Sequence, residues 1–337
     1  MKKWILLIAF GVVAISIAVF IESMTYVALP TEKEPVQLYA NELRDDLTKM
    51  FVKAIEEAEE SVTLIIYSLT DPNIIHALKK KSEEGCRVLV IYDKKNSPHL
   101  KKRLGKAKTL VRTPGGLSHQ KILVVDQKKI WVGTANMTTA SLRYYGNLVL
   151  GLYLPDLAAR VDRTLRAMNK FHQDPDPEPI PFKIEAMSGT FQFLPSEKKS
   201  AEILSLISSA EKTARVAMFT FTRKDFAEAL VKAKERGVDV EVAIDHQTLY
   251  GASRYVRKIL INNQMPLFTN RGPGLLHYKC MVADGDTLVI GSANWTKAAF
   301  QRNDDCFLIL KNLSPEISRK LNRLWIAILA NGKEVHR

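Results

Sequence analysis

Cysteine is scarce in this chain, and the little there is forms no pattern. Cys86, Cys280 and Cys306 contain no C-x-x-C pair and no even set, which excludes a disulfide scaffold and a zinc site of ordinary spacing. Each lies in an apolar, strand-like run and reads as a small buried hydrophobe. No other metal-ligand cluster is visible, so neither a metal nor a cofactor is expected. Acidic residues are also in deficit: the formal net charge is +13 and the pI about 9.5. That excess favours a polyanionic partner, either nucleic acid or an anionic lipid surface, and charge alone does not choose between them.

The N-terminus departs from the rest of the composition. After Lys2 and Lys3 an uncharged run extends from Trp4 to Ile21 and is ended by Glu22. At ~1.5 Å per residue it reaches about 27 Å, enough to cross a bilayer core. The sites after it, Ser23-Met24-Thr25 and Tyr26-Val27-Ala28, are poor for cleavage, which favours an uncleaved signal anchor over a cleaved signal peptide within residues 1–30. Lysines before the run and Glu22, Glu32 and Glu34 after it put the N-terminus in the cytoplasm and the body outside, membrane-anchored or secreted.

Beyond residue 38 the chain repeats one plan. Ala58-Glu59-Glu60-Ser61 matches Ala210-Glu211-Lys212-Thr213, and Ile66-Tyr67-Ser68-Leu69-Thr70 matches Met218-Phe219-Thr220-Phe221-Thr222, both at an offset of 152. Gly85 and Gly237 end charged amphipathic helices, and the apolar runs Val88 to Asp93 and Val240 to Asp245 read as buried strands. The offset then becomes 158, placing six extra residues in a connecting loop of the second copy. Alternating helices and strands predict an α/β protein with a largely buried, mixed sheet in each copy. Predicted boundaries are 39–172 and 188–331, with 173–187 as a stiff linker holding four prolines between Asp174 and Pro181.

Both copies carry H-x-K-x4-D-x6-G-[ST]-x-N without a gap. The first has His119, Lys121, Asp126, Gly133, Thr134 and Asn136; the second has His277, Lys279, Asp284, Gly291, Ser292 and Asn294. Residues two apart on a strand share a face, so each histidine projects with its lysine. A histidine can attack phosphorus or move a proton near neutral pH, and a lysine beside it answers charge on a phosphate oxygen. The Gly-[ST]-x-Asn segment permits close backbone approach and offers an amide and a hydroxyl as further donors. Asp126 and Asp284 lie on the opposite parity from the lysines and read as structural ties for a turn or a neighbouring strand.

These motifs resemble the HKD signature of the phospholipase D superfamily, over roughly Tyr39 to Trp325. The resemblance implies two α-β-α sandwich domains with mixed sheets, related by a pseudo-twofold axis, with one active site where the motifs meet. It implies metal-independent, two-step phosphoryl transfer within a single chain, so a monomer suffices. His119 would be the nucleophile that forms a phosphohistidine and His277 the general acid and base. Lys121, Lys279, Asn136 and Asn294 would clamp the phosphate. Asp305 lies 28 residues after His277, where the family commonly has a carboxylate that orients a histidine, and Asn147 holds the matching position in the first copy. In two-copy relatives the orienter crosses over, so Asp305 would serve His119 and Asn147 would serve His277. A carboxylate fixes the tautomer and stabilises the cation, whereas an amide only fixes the tautomer.

Weaker features stay open. The basic run Lys94 to Lys108 is a polyanion track or a solvated face, and Trp295 lines the site or packs beneath it. Three functions fit: a phospholipid-directed phosphodiesterase that hydrolyses or transfers, a nuclease using the same chemistry, and a non-catalytic polyanion-binding module. Complete motifs in both copies favour the enzymes, with phospholipid as the leading substrate.

Overall fold

The computed structural model describes residues 27–113, 115–168 and 177–336. The segment expected to be an anchor, 1–30, lies outside the described residues up to residue 26. Its last residues rest on the body: Leu29 is buried, Tyr39 Oη donates to the Ala28 carbonyl at 2.7 Å, and Lys53 Nζ donates to that of Val27 at 2.9 Å. Among the described residues no helix is long and apolar enough to cross a membrane.

The first half builds strands β1 (Val36–Ala40), β2 (Ser61–Ile66), β3 (Arg87–Tyr92), β4 (Lys108–Val111), β5 (Lys121–Val125), β6 (Lys129–Gly133) and β7 (Leu148–Tyr153). Its helices are α1 (Leu47–Glu56), α2 (Pro72–Glu83), α3 (Thr139–Tyr144) and α4 (Pro155–Ala167). The second half builds β8 (Ile180–Ile184), β9 (Met187–Leu194), β10 (Thr213–Met218), β11 (Asp239–Ile244), β12 (Leu267–Asn270), β13 (Lys279–Ala283), β14 (Thr287–Gly291), β15 (Asp305–Lys311) and β16 (Gly332–Glu334). Its helices are α5 (Ser200–Ser209), α6 (Lys224–Glu235), α7 (His246–Tyr250), α8 (Arg254–Asn262), α9 (Lys297–Gln301) and α10 (Pro315–Asn331).

The two mixed sheets run in the orders β1-β7-β6-β5-β2-β3-β4 and β16-β12-β11-β10-β13-β14-β15-β9-β8. Strands β7-β6-β5-β2-β3-β4 and β15-β14-β13-β10-β11-β12 therefore have the same order, which is what an internal repeat must produce. Period-two patterning explains the layering. Val62, Leu64 and Ile66 of β2 face an outer core under α1 and α2, while Ile65 faces the layer between the sheets. That central layer holds α4 and α10, with Leu157, Val161, Leu165, Leu321, Trp325 and Ile328 buried against both sheets. A third core packs α5, α6 and α8 on the far face of the second sheet.

Several expectations are corrected. The linker 173–187 is not wholly a connector: Ile180–Ile184 forms β8 and Met187 starts β9. β8 is an edge strand, where Pro181 sacrifices no ladder bond that the sheet needs, and Ile180 and Ile184 bury their side chains in the central core. The first half starts at β1, before residue 39, and the second gains β16 after residue 331. The six extra residues of the second copy fall between β11 and β12, where α7 and α8 replace a single 3-10 turn, Leu100–Arg103. In that first-half turn Leu100 and Leu104 are buried while Lys101, Lys102 and Arg103 are solvated.

Gly85 and Gly237 end α2 and α6 with φ of +95° and +94°, the left-handed geometry that glycine adopts without a Cβ clash. Trp295 is buried against Phe221 and Phe226, so it packs beneath the site. All three cysteines are free, with Cys280 and Cys306 buried and Cys86 half-buried. His76, His99, His246 and His336 are exposed.

Candidate active site

The site forms where the C-terminal ends of β2 and β10 meet the starts of β5 and β13. Lys121 pairs with Ile66 in the sheet register, and Lys279 with Met218. β5 and β13 begin at these lysines, so His119 and His277 stand in the extended segments just before them. Each lysine turns back on its own motif: Lys121 Nζ donates to the His119 carbonyl at 2.6 Å and Lys279 Nζ to the His277 carbonyl at 2.7 Å.

The halves are laced together through these segments. His119 N donates to Asp304 O at 2.7 Å and Asp304 N to Leu117 O at 2.9 Å; His277 N donates to Gly146 O at 2.9 Å and Gly146 N to Leu275 O at 2.8 Å. The side chains cross over in the same way. His119 Nδ1 donates to Asp305 Oδ1 at 2.8 Å, and His277 Nδ1 donates to Asn147 Oδ1 at 3.0 Å. Each orienter is itself held by its own half. Ser292 Oγ donates to Asp305 Oδ1 at 2.6 Å, Thr134 Oγ1 donates to Asn147 Oδ1 at 2.9 Å, and Asn147 Nδ2 donates to the Ser141 carbonyl at 2.8 Å. The Gly-[ST] hydroxyls are thus committed to the orienters and are not donors for a phosphate.

The other motif residues divide by role. Asp126 accepts from the backbone N–H of Glu59, Glu60 and Ser61 at 2.7–2.9 Å, and Asp284 accepts in the same way from Glu211, Lys212 and Thr213. Both are ties between a turn and the start of the neighbouring strand. At Gly133 and Gly291 an added Cβ would strike the Leu148 and Cys306 carbonyls, so glycine is required for strand pairing. Asn294 Oδ1 accepts from Thr220 N at 3.2 Å, whereas Asn136 Oδ1 is buried with no hydrogen-bond partner among the described residues.

Neighbours outside the motif complete the site. Tyr67 meets the His119 ring edge-on at 5.0 Å, and Phe219, its equivalent at offset 152, lies 5.0 Å from the His277 ring. Lys121 and Lys279 lie over these same rings, at 5.3 and 4.9 Å. Tyr145 lies 6.3 Å from the His277 ring. Asp245 caps α7 and also accepts from Leu276 N at 3.0 Å, fixing the residue before His277. Arg112 and Asp304 form a buried ion pair at 2.7 Å that braces the segment leading to His119. The repeat carried a signal for Tyr67 and Phe219, since both directly follow equivalent strands. The Arg112–Asp304 contact spans the two halves and left no local signal.

Burial and mutual repulsion strip protons from this cluster. His277 is driven well below the ordinary imidazole range by burial, then by Lys279, Lys121 and His119. His119 is lowered by burial and Lys121, with Asp305 pulling it back up. Burial brings Lys121 down to about 7 and, together with Lys121, carries Lys279 well below its usual range. Burial alone would raise Asp305, but the His119 ring, Lys121 and the Ser292 hydroxyl hold it below the usual carboxylate range. Two imidazoles and two amines that repel one another make a site for an anion, which would restore their charge.

Residues 51–169 and 203–325 match the family described as cardiolipin synthase, PLD-like domain. A phospholipase D of Rickettsia prowazekii is 32% identical over 112 residues, 31% of this chain and 53% of that protein. The chain thus spans about half the length of that relative. A cardiolipin synthase of Clostridium perfringens is 24% identical over 331 residues, 84% of this chain and 68% of that protein. The crystal structure of phosphatidylserine synthase from Haemophilus influenzae superposes with a TM-score of 0.72 at 12% identity, covering 91% of this chain and 89% of the other. At that identity the likeness is one of fold.

Proposed function

Because the chain belongs to the family of the cardiolipin synthase, PLD-like domain, we propose that it is a phosphodiesterase acting on phospholipid through a covalent phosphohistidine. The observation that carries this reading is the pair of buried histidines. Each has Nδ1 tied across to the other half, which leaves Nε2 for chemistry, and each has a lysine beside it.

In this reading Lys121 and Lys279 neutralise the phosphate oxygens, and Asn136 and Asn294 help to clamp the group. His119 Nε2 attacks phosphorus and becomes cationic as it bonds, and the adjacent Asp305 carboxylate stabilises that charge. His277 protonates the departing alcohol oxygen. Its partner Asn147 adds no negative charge, so the protonated ring gives up its proton readily. The neutral His277 then takes a proton from water, or from an acceptor alcohol, as that oxygen attacks phosphohistidine and frees His119.

We further infer that the halves form a pseudo-twofold pair of α-β-α sandwiches sharing this one site in a monomer. Residues 1–30 would anchor the catalytic body outside the cytoplasm. The test is to incubate the full chain in detergent with phosphatidylcholine, cardiolipin or single-stranded DNA, each with EDTA present. Lipid turnover abolished by His119→Ala, with phosphate trapped on histidine, is the expected result. Turnover of DNA alone would move the chain to the nucleases, and no turnover with no trapped phosphohistidine would reduce it to a polyanion-binding module.

A further inference from the structure

Charge is not spread evenly over the two ends of the molecule. Strands β2, β3, β4 and β6, like their counterparts β10, β11, β12 and β14, all run toward the site, so the connections that follow them share one end of the sheets. In the first half these connections expose Lys94, Lys95 and Arg143; in the second they expose Lys224, Arg254, Arg271, Lys297 and Arg302. None of these eight cations is in an ion pair among the described residues. The acids on the same connections are buried or half-buried, and each is engaged. Asp71 and Asp245 cap helices, Asp93 holds Asn96, Asp225 pairs with Arg223, and Asp304 and Asp305 meet Arg112 and His119. Exposed acids at this end, Asp46, Glu178 and Glu197, stand beside β1, β8 and β9, outside the strands that the two halves share. The opposite end is of mixed sign, with Glu59, Glu60, Glu211 and Asp286 exposed beside Lys128, Lys212 and Lys311.

The basic run Lys94 to Lys108 divides between a site end and a flank. Ser68 Oγ donates to the Asn96 carbonyl at 2.8 Å and Leu69 N to Ser97 Oγ at 3.0 Å, which fastens the start of the run beside Tyr67. Further along, Ser82 Oγ near the end of α2 donates to the Leu104 carbonyl at 3.2 Å, so Lys101 to Lys108 turn back along the side of the sheet. The second half repeats the first tie. Phe221 N donates to Ser253 Oγ at 3.0 Å and Thr248 Oγ1 donates to the Phe219 carbonyl, which holds the junction of α7 and α8 beside the site.

Apolar side chains are exposed on the same end. Of the five large hydrophobic residues exposed among the described residues, Leu117, Tyr144, Tyr250 and Tyr255 lie on these connections, and only Ile326 lies elsewhere. Arg257 lies over the Tyr250 ring at 4.8 Å, and Arg254 and Lys224 lie over the Tyr255 ring at 4.7 and 5.6 Å. Tyrosines rimmed by cations, with an aliphatic residue beside them, suit the boundary of a bilayer. There aromatic rings sit at head-group level and lysine or arginine meets anionic lipid. Nucleic acid fits less well, because bases stack on free aromatic faces, whereas these faces carry cations and Leu117 offers none.

We propose that this end of the molecule is an interfacial surface that docks on an anionic phospholipid bilayer, with the mouth of the site turned toward the lipid. The inference rests on the lipid-directed reading and deepens it: a phosphodiester at head-group depth then meets His119 and His277 without leaving the bilayer.

The test follows hydrogen exchange of the full chain in nonionic detergent micelles, with and without sulfatide, an anionic lipid that has no phosphodiester to occupy the site. Sulfatide should slow exchange by at least about fivefold over residues 93–99 and 246–257 and leave the turns at 126–129 and 284–287 unchanged, and about 0.5 M NaCl should remove the effect. The variant Lys94→Glu/Arg254→Glu/Arg271→Glu should lose this protection. Lys128→Glu/Lys212→Glu/Lys311→Glu, an equal change of charge at the other end, should keep it. In turnover, sulfatide should lower the KM for phosphatidylcholine in these micelles about tenfold for the wild type and the second variant, and less than about twofold for the first. All three should cleave water-soluble bis(p-nitrophenyl) phosphate equally. Exchange that ignores sulfatide, or an equal loss of protection in both variants, would overturn the proposal. Single-stranded DNA protecting the same residues where sulfatide does not would also overturn it, and would give the surface to nucleic acid. Protection by sulfatide without lipid turnover would keep the surface and remove the phosphodiesterase reading; turnover without protection would do the reverse.

Discussion

The two histidines occupy equivalent positions and have been given opposite surroundings. His119 faces a carboxylate, an aromatic phenol at Tyr67 and a segment braced by the buried Arg112–Asp304 pair. His277 faces a neutral amide, the hydrocarbon ring of Phe219 and a segment that ends at Gly146 beside an open cavity. Duplication supplies two copies of one device, and the proposed mechanism asks one copy to act as nucleophile and the other as acid. Replacing Asn by Asp at a single equivalent position changes how well each ring bears a positive charge. At the adjacent position Asp304 pairs with Arg112, whereas Gly146 leaves room for Glu42.

The strongest way to break this comparison is to delete each ring separately. His119→Ala should lower kcat by at least about 10⁴-fold on every phosphodiester. His277→Asn should do the same on lipids, yet should let phosphate accumulate on His119 when the leaving group is p-nitrophenolate, which needs no acid; phosphohistidine trapping reads the difference. Equal trapping in both variants would erase the inequality.

Next in size is the exchange of orienters. Asp305→Asn should cost about 10²–10⁴-fold in kcat. It also removes the influence that raises His119, so the acid limb of kcat/KM, where His119 must be neutral to attack, should move to lower pH. Asn147→Asp should raise His277 and carry the alkaline limb upward. pH profiles that stay in place would show that Asp305 and Asn147 do not set the basicity of the two rings.

Two smaller effects concern stability. Arg112→Met takes the guanidinium from buried Asp304 and should destabilise the fold by about 3 kcal/mol in denaturant titrations. Lys121→Met should act the other way. The folded lysine lies near 7 and the unfolded one near 10.5, so between these values the unfolded chain holds the extra proton and wild-type stability rises with pH. Below pH 7 the full penalty is present. The methionine variant should therefore be more stable than wild type at pH 7, by a margin that shrinks as pH rises and is gone by pH 10.5, while its activity is lost. A variant no more stable than wild type at neutral pH would show that Lys121 is solvated.

Much of this was legible in the linear sequence, for identifiable reasons. Strands β2, β3, β5 and β6 and their counterparts β10, β11, β13 and β14 are short apolar runs between glycine and aspartate punctuation, and they recur at fixed offsets. β8 was hidden because prolines that would break a central strand are tolerated at an edge. β1 and β16 are short strands stabilised by β7 and β12, partners far away in the chain. In the site, the threonine and serine after the motif glycines read as donors for a phosphate. They turn instead toward Asn147 and Asp305, because β6 lies against β7, and β14 against β15, more closely than sequence spacing can express.

The sequence by itself determined the repeat, the family likeness, the two motif pairs and the inequality of Asp305 and Asn147, since each is a matter of residue identity at a fixed spacing. Tertiary structure alone decided that His119 N and His277 N are bound by backbone from the opposite half. It alone brought Arg112 to Asp304 and left Gly146 open to Glu42. These contacts join residues as far as 236 positions apart, as between Tyr278 and Glu42. They exist because two sheets packed on one central layer bring loops of unrelated position to a common edge, and no local pattern records which side chains will meet there.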